Sequence, residues 1–389
     1  MVSPYSATTP VITGWAALSP WGMGGADFAA GLRSGRDTAV RLDREVWQTP
    51  FDRACLIPDF DIRQVLGRKG TRSMDRASAL AVATVGRLLD DGGARLPGVD
   101  ESTSLTLGTS TGSAQSMMSF TRDSFVGERP YLVDPARFPN TVMNCAAGQS
   151  AIWHRLKGPN TTLAGGRATG LLALRYALRL HRAGRARTLL CGAVEEFSPA
   201  RAWLEWHSRR RAGGGAGGAA QAPLGEGAAV WLMEGAEEAA AHGRRPLAVP
   251  LGVEFGFAAD LARIRPVLAD CVRRLLDRTG LAPADIAVVA DSGAPGAEGA
   301  AERDVLADVL GAGSPDRLDC AAHIGDTFAA SAAFQIAATM ATAEPGEERT
   351  ALIVSVEANG VVGAALLATT GQPNPAAAAR PTSTQVQPL

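Results

Sequence analysis

Residues 156–169 read Leu156-Lys157-Gly158-Pro159-Asn160-Thr161-Thr162-Leu163-Ala164-Gly165-Gly166-Arg167-Ala168-Thr169. Gly158 and Pro159 interrupt a helical pattern that runs from Ala146 to Leu156. The segment Thr161 to Ala164 is strand-like, and Gly165-Gly166 permits a sharp turn. Beyond the turn, Arg167 to Arg182 forms a long Ala/Leu-rich helix, and Thr188 to Ala193 is an apolar strand. Strand, crossover helix and strand together make one unit of a parallel sheet, so the fold class is α/β.

The same alternation extends in both directions. Upstream, Pro10 to Trp15 reads as a buried strand running into a Gly-rich turn at Trp21 to Gly25, and Ser73 to Leu89 places Met74, Leu80, Ala81, Val85 and Leu88 near one helical face. Ser104 to Leu107 is a strand that enters a turn at Gly108 to Gly112, followed by a helix. Downstream come a strand at Gly227 to Met233 and a charged helix around Glu234 to His242. From about Arg245 the layout restarts, with strands at Leu247 to Phe255 and Ile286 to Ala290 and helices at Asp260 to Thr279 and near Glu302 to Leu310. It closes with a helix at Phe328 to Met340 and strands at Thr350 to Val356 and Gly363 to Thr369. Two similar halves are implied, 1–244 and 245–371, with an Ala/Pro tail over 372–389 expected to be disordered.

At 389 residues, the chain exceeds the roughly 100–200 residues of an average domain, which leaves room for a large core. Charged residues make up 20% and the net charge is −1, a balance that favours neither nucleic acid nor a membrane surface. Met1 to Pro10 has no basic segment followed by an apolar run, so no signal peptide is read, and no apolar stretch is long enough to span a bilayer. Cys55, Cys145, Cys191, Cys271 and Cys320 are scattered, without a CxxC pair. That argues against a zinc site and a disulfide framework, and for a reducing cytoplasm. The heavy use of Ala, Gly and Arg is compatible with a GC-rich bacterial genome.

Residues 209–222, RRRAGGGAGGAAQA, are of low complexity and read as a mobile surface loop. Their glycines have a dinucleotide-like spacing. The residues before them are basic rather than a strand, and no acidic residue is suitably placed, so a cofactor site is rejected.

Five blocks, in order, resemble β-ketoacyl synthases of the thiolase superfamily over residues 10–370. They are the opening VITGWAALSPWGMG, the run Arg68-Lys69-Gly70-Thr71-Arg72-Ser73-Met74-Asp75-Arg76, the Leu156 to Asn160 segment, Gly192-Ala193-Val194-Glu195-Glu196, and Leu224-Gly225-Glu226-Gly227-Ala228-Ala229. The resemblance implies a thiolase-like fold, two related αβαβα halves packed in a five-layered sandwich, usually as a dimer. It implies no cofactor and no metal.

Active members of that family carry a cysteine at the strand-to-helix turn after G-P-N, where the helix N-terminus favours its thiolate. Here the place falls on Arg167, and a guanidinium can neither attack a thioester nor carry an acyl chain. The two histidines that would stabilise an enolate fall on Ser292 and Asp326, and the lysine on Ala321. The phenylalanine gate corresponds to Val356 in a loop altered through Asn359 and Gly360. Simultaneous loss of all these groups makes the chain similar to a chain-length factor, the non-catalytic β subunit of type II polyketide synthases. The Gly165-Gly166-Arg167 and Gly325-Asp326-Thr327-Phe328-Ala329-Ala330-Ser331 runs look closer to polyene-forming, highly reducing systems.

That resemblance implies a heterodimer with a ketosynthase α subunit, which performs decarboxylative condensation of malonyl units on an acyl carrier protein. In such factors the helix after Gly112, with Ala114, Met117, Met118 and Thr121 at helical spacing, faces the growing chain across the interface. Arg167 buried without a partner would be costly, so a carboxylate such as Asp326 or Glu196 is expected beside it. Two alternatives remain open. Cys145, ahead of its helix, could serve as a relocated nucleophile for acyl transfer, hydrolysis or decarboxylation, in preference to Cys191 or Cys320, with His323 as a lone acid or base; or the chain could be a purely structural homodimer.

Overall fold

Alternating inward and outward residues along the strands, and apolar helical faces to cover them, arrange the chain around one continuous sheet. The computed structural model describes residues 6–91, 93–211, 222–311 and 314–374. Most of the low-complexity segment (212–221) and of the tail (375–389) lies outside the described residues. Arg209, Arg210 and Arg211 correct the sequence reading, because they form the last turn of a helix, Pro199–Arg211, and not a loop. Arg209 is held there by Glu205 one turn earlier, with Nε to Oε1 2.7 Å, and by stacking over the Phe51 ring.

The strands of the sheet are β1 (Pro10–Leu18), β2 (Ser104–Gly108), β3 (Asn160–Leu163), β4 (Leu189–Glu195), β5 (Gly227–Gly235), β6 (Ala248–Phe257), β7 (Ile286–Ala290), β8 (Asp316–Leu318), β9 (Arg349–Val356) and β10 (Val361–Thr369). Their order is β8-β7-β9-β10-β6-β1-β5-β4-β2-β3. From the middle outward, β1-β5-β4-β2-β3 is antiparallel for two steps and parallel for two. The series β6-β10-β9-β7-β8 repeats that sequence of directions. The two series meet antiparallel through the single Ile12 to Ala248 pairing.

The helices that cover the sheet are α1 (Arg76–Leu89), α2 (Ala114–Val126), α3 (Cys145–Trp153), α4 (Thr169–Arg182), α5 (Pro199–Arg211), α6 (Leu261–Thr279), α7 (Gly296–Leu310) and α8 (Ser331–Ala341). The period of two along β5 sends Ala229, Trp231 and Met233 to the middle of the molecule, against α4 and α8, and Ala228, Val230 and Leu232 to the outside, against α1. In the second series, Leu352, Val354 and Val356 of β9 face α6 and α7. The result is a thiolase-like sandwich of five layers, helix, sheet, helix, sheet and helix, with α4 and α8 at its centre. The central helices touch closely: a Cβ on Gly170 would come within 2.5 Å of the Ala333 backbone nitrogen. Among the described residues no helix is long and apolar enough to cross a membrane.

Candidate functional site

The turn between β3 and α4 lies at the centre of the sandwich. Gly166 takes φ +59°, and a Cβ there would meet the Glu357 side chain at 2.6 Å, so glycine is required both for backbone and for space. Thr169 closes the turn, its Oγ1 accepting from the Gly165 N–H at 2.9 Å and donating to the Gly166 carbonyl at 2.6 Å. Arg167 sits in a single 3₁₀ turn, Gly166–Ala168, directly before α4. The residue is only 5% exposed, and its side chain is directed at Asp326 and Glu357.

Two carboxylates receive it. Arg167 Nη1 and its backbone N–H both donate to Glu357 Oε2, at 2.9 and 3.1 Å, and Nη2 donates to Asp326 Oδ2. Asp326 is 4% exposed and Glu357 5%. The guanidinium also lies over the Phe328 ring, 5.3 Å from its centroid. Burial alone would lower the Arg167 pKa, but Asp326 and Glu357 outweigh it and hold the pKa above the ordinary value. Burial likewise works to raise Asp326, yet Arg167 and Arg201 draw it below its usual value. Helix α5 supplies the outer ring: Arg201 donates to the carbonyls of Glu196 (2.9 Å), Gly225 (2.6 Å) and Asp326 (2.8 Å), and Arg209 stands 3.8 Å from Asp326. The place where the resemblance expects a nucleophile and an acid-base pair is therefore filled by an ion triad, each carboxylate giving one oxygen to Arg167 and the other to a backbone N–H nearby.

Of the two carboxylates expected beside Arg167, the structure brings in Asp326 and leaves Glu196 elsewhere. Glu357 was not anticipated. It follows Val356 in the loop read as the altered gate, and alternation along β9 decides which residue enters: Val356 goes to the outer core and Glu357 to Arg167. Asn359 and Gly360 form the exposed and inner parts of a tight hairpin turn, closed by Glu357 N–H to Val361 O at 3.0 Å.

Ser292 is fully buried, and its N–H and hydroxyl both go to the Glu302 carboxyl, at 2.9 and 2.5 Å. Ala321 starts a short helix beside Gly293 and brings no amine. His323 turns away, its ring against Trp21 with centroids 6.2 Å apart, so it has no acid-base role at the triad. Burial pushes the Glu302 carboxyl from 4.5 up to about 8. The folded state thus holds this proton more tightly than the unfolded chain. The contribution is fully present below 4.5 and is lost as pH rises through about 8. Glu302→Gln is expected to flatten that decline, by about 1.4 kcal/mol per pH unit at most, in urea unfolding followed across this range. An unchanged slope rules out Glu302 as its source.

All five cysteines are free and buried. Cys145 is the first residue of α3, between Asn140 Oδ1 (3.4 Å) and Ser78 Oγ (3.6 Å), and burial and Asp75 raise its pKa. Cys191 and Cys320 are also pushed up by burial. None of these three has the electropositive surroundings that make a thiolate.

The helix read as facing the growing chain is α2. Met117, Met118 and Thr121 lie on its exposed side, whereas Ala114, the only buried residue of the helix, turns into its own chain. The exposed face continues through Phe125 and Val126 to Phe138 and Ile152, which are 85, 69, 58 and 75% exposed. Beside Ile152 runs β3, which ends the sheet, its outer edge unpaired among the described residues.

Residues 9–239 match the family model "Beta-ketoacyl synthase, N-terminal domain". The chain is 28% identical over 276 residues to 3-oxoacyl-[acyl-carrier-protein] synthase 2 of Vibrio harveyi, covering 64% of this chain and 63% of that protein, just under two thirds of it. It is 29% identical over 356 residues to a Streptomyces halstedii protein assigned as polyketide beta-ketoacyl synthase 2, covering 86% of this chain and 84% of the other. Among solved structures, the ishigamide ketosynthase/chain length factor superposes with a TM-score of 0.85 at 42% identity, covering 93% of this chain and all of that one.

Proposed function

The chain belongs to the β-ketoacyl synthase family, and from that premise we propose that it is a non-catalytic chain-length factor, the β subunit of a type II polyketide synthase. The observation that carries this reading is the Arg167–Asp326–Glu357 triad. An arginine locked between two carboxylates occupies the position of the acyl-carrying thiol, with Ser292 and Ala321 in place of further catalytic groups. The condensation of malonyl units on acyl carrier protein then falls to a ketosynthase α subunit.

The contiguous apolar face from α2 to α3, next to the unpaired edge of β3, supports the heterodimer. An edge strand and several large exposed apolar side chains together form the kind of surface that a partner buries. In that arrangement Met117, Met118 and Thr121 border the space for the growing chain and limit its length. The cytoplasm is the compartment that suits five unpaired thiols.

The test is co-expression with a ketosynthase of the same type, followed by size-exclusion chromatography and intact-mass measurement after exposure to acyl carrier thioesters. The expected result is a co-eluting heterodimer with the acyl adduct confined to the partner. An adduct on this chain, at Cys145 or elsewhere, overturns the non-catalytic reading, and a stable homodimer that refuses the partner overturns the assembly.

A further inference from the structure

Helix α2 is weakly held by packing, since Ala114 is its only buried residue. Its position must come from elsewhere. At its start, Ser113 acts as the N-cap, its Oγ accepting from the Ser116 N–H at 3.1 Å. That hydroxyl donates onward to Glu196 Oε1 at 3.1 Å, and the Gln115 N–H reaches the same oxygen at 3.3 Å. The Gln115 side chain in turn accepts from the Ala200 N–H, at the start of α5, at 3.1 Å. One residue earlier, Glu195 accepts from Ser110 Oγ at 3.0 Å in the turn before α2, and from the Ala329 N–H at 3.4 Å in the turn that carries Asp326.

We propose that Glu196, with Glu195 beside it, is a positioning residue that fixes where α2 presents Met117, Met118 and Thr121, and thereby sets the chain length the heterodimer allows. This rests on the chain-length reading above. A carboxylate at a helix N-terminus is favoured by the helix dipole and by the free N–H groups there. Within the chain, apolar packing of the helix is slight, with the Phe120 and half-exposed Phe138 rings 5.9 Å apart, and it does not replace that anchor until a partner docks. The clamp also links the ruler to the dead pocket: through Glu195 the turn that leads into α2 is joined to the turn that holds Asp326 against Arg167. Burial, and then Asp75, push the Glu196 carboxyl up to about 7, so a neutral glutamine that keeps the acceptor oxygen is a fair mimic.

The experiment reconstitutes the heterodimer with malonyl carrier protein and reads the product-length distribution by mass spectrometry, with assembly checked by size exclusion. Glu196→Ala is expected to assemble and to lower the share of the dominant length relative to its neighbours by about fivefold. Glu196→Gln restores the distribution. If Glu196→Ala does not fold, Ser113→Ala with Gln115→Ala is read in its place, since it removes the hydroxyl bond to Glu196 and the side-chain bond to α5 and leaves only the backbone N–H of residue 115 on the carboxylate. An unchanged distribution in an assembled variant, or a glutamine variant as impaired as alanine, overturns the proposal. Met117→Trp, run alongside, separates the two ideas: if it too leaves length unchanged, the chain-length reading itself fails, whereas a shift with Met117→Trp alone refutes only the clamp.

Discussion

Arg167→Ala is expected to lower the unfolding free energy by about 3–5 kcal/mol, because it strands the buried Glu357 without its ion-pair partner and takes from Asp326 the nearest of its positive charges. Asp326 and Glu357 are each all but inaccessible to water, and removing the guanidinium leaves Asp326 with Arg209 at 3.8 Å and the charge of Arg201. Against a total stability of about 5–15 kcal/mol, this is a large fraction, and it should appear as a lower urea midpoint with little change in slope. Replacing all three members of the triad by apolar residues of similar volume is expected to cost far less, because a buried ion pair contributes little net stability once its desolvation is counted. Arg167→Cys returns a thiol to the head of α4 without restoring condensation, since Ser292 is tied to Glu302 and no histidine reaches the pocket. A single Arg167→Ala variant as stable as the parent shows that the three charges do not hold one another in place.

The fold was largely legible because its signals are local. The break at Gly158-Pro159, the turn at Gly165-Gly166 and the apolar run after Thr188 place β3, α4 and β4 to within a residue or two. The repeat of strand directions in the second half was not visible from pattern alone, since pairing partners are chosen by contacts far apart in the chain. Arg209 to Arg211 were misread for a related reason: the residues that follow them are glycines, but they continue the helix before them, in which Arg209 is held by Glu205 one turn back and by Phe51 across space. At the site, Arg167 and Asp326 could be found from their places in family motifs. Glu357 could not, because the motif drew attention to Val356, and one residue of difference along a strand exchanges the outer core for the central pocket. The signal that would have found it is elementary. A buried arginine with one carboxylate nearby invites a second, and Glu357 is the acidic residue of the loop that faces the turn.

Met117→Trp is expected to shift the polyketide made by the reconstituted pair to chains shorter by at least one two-carbon unit. Ala114→Phe is less suitable: Ala114 is buried in its own chain, so a phenyl ring there would strain the start of α2 at a cost of about 1–3 kcal/mol before altering any space beyond it. Met117 lies 37% exposed on the side where a partner would dock. A methionine there is adaptable and can yield to an added pair of methylenes, whereas an indole is rigid and fills the volume. Excluding the last unit costs what a hydrophobic pocket loses when it cannot admit a methylene or two, about 1–3 kcal/mol, or about 10–200-fold in the partition between extension and release. That is enough to replace the dominant product rather than broaden it. The total rate of malonyl consumption should change much less, because in the proposed heterodimer decarboxylation falls to the partner, whose thiol the substitution leaves untouched. Equal loss of every chain length, with the distribution intact, indicates damaged assembly instead of a shortened space, and it removes Met117 from the boundary of the growing chain.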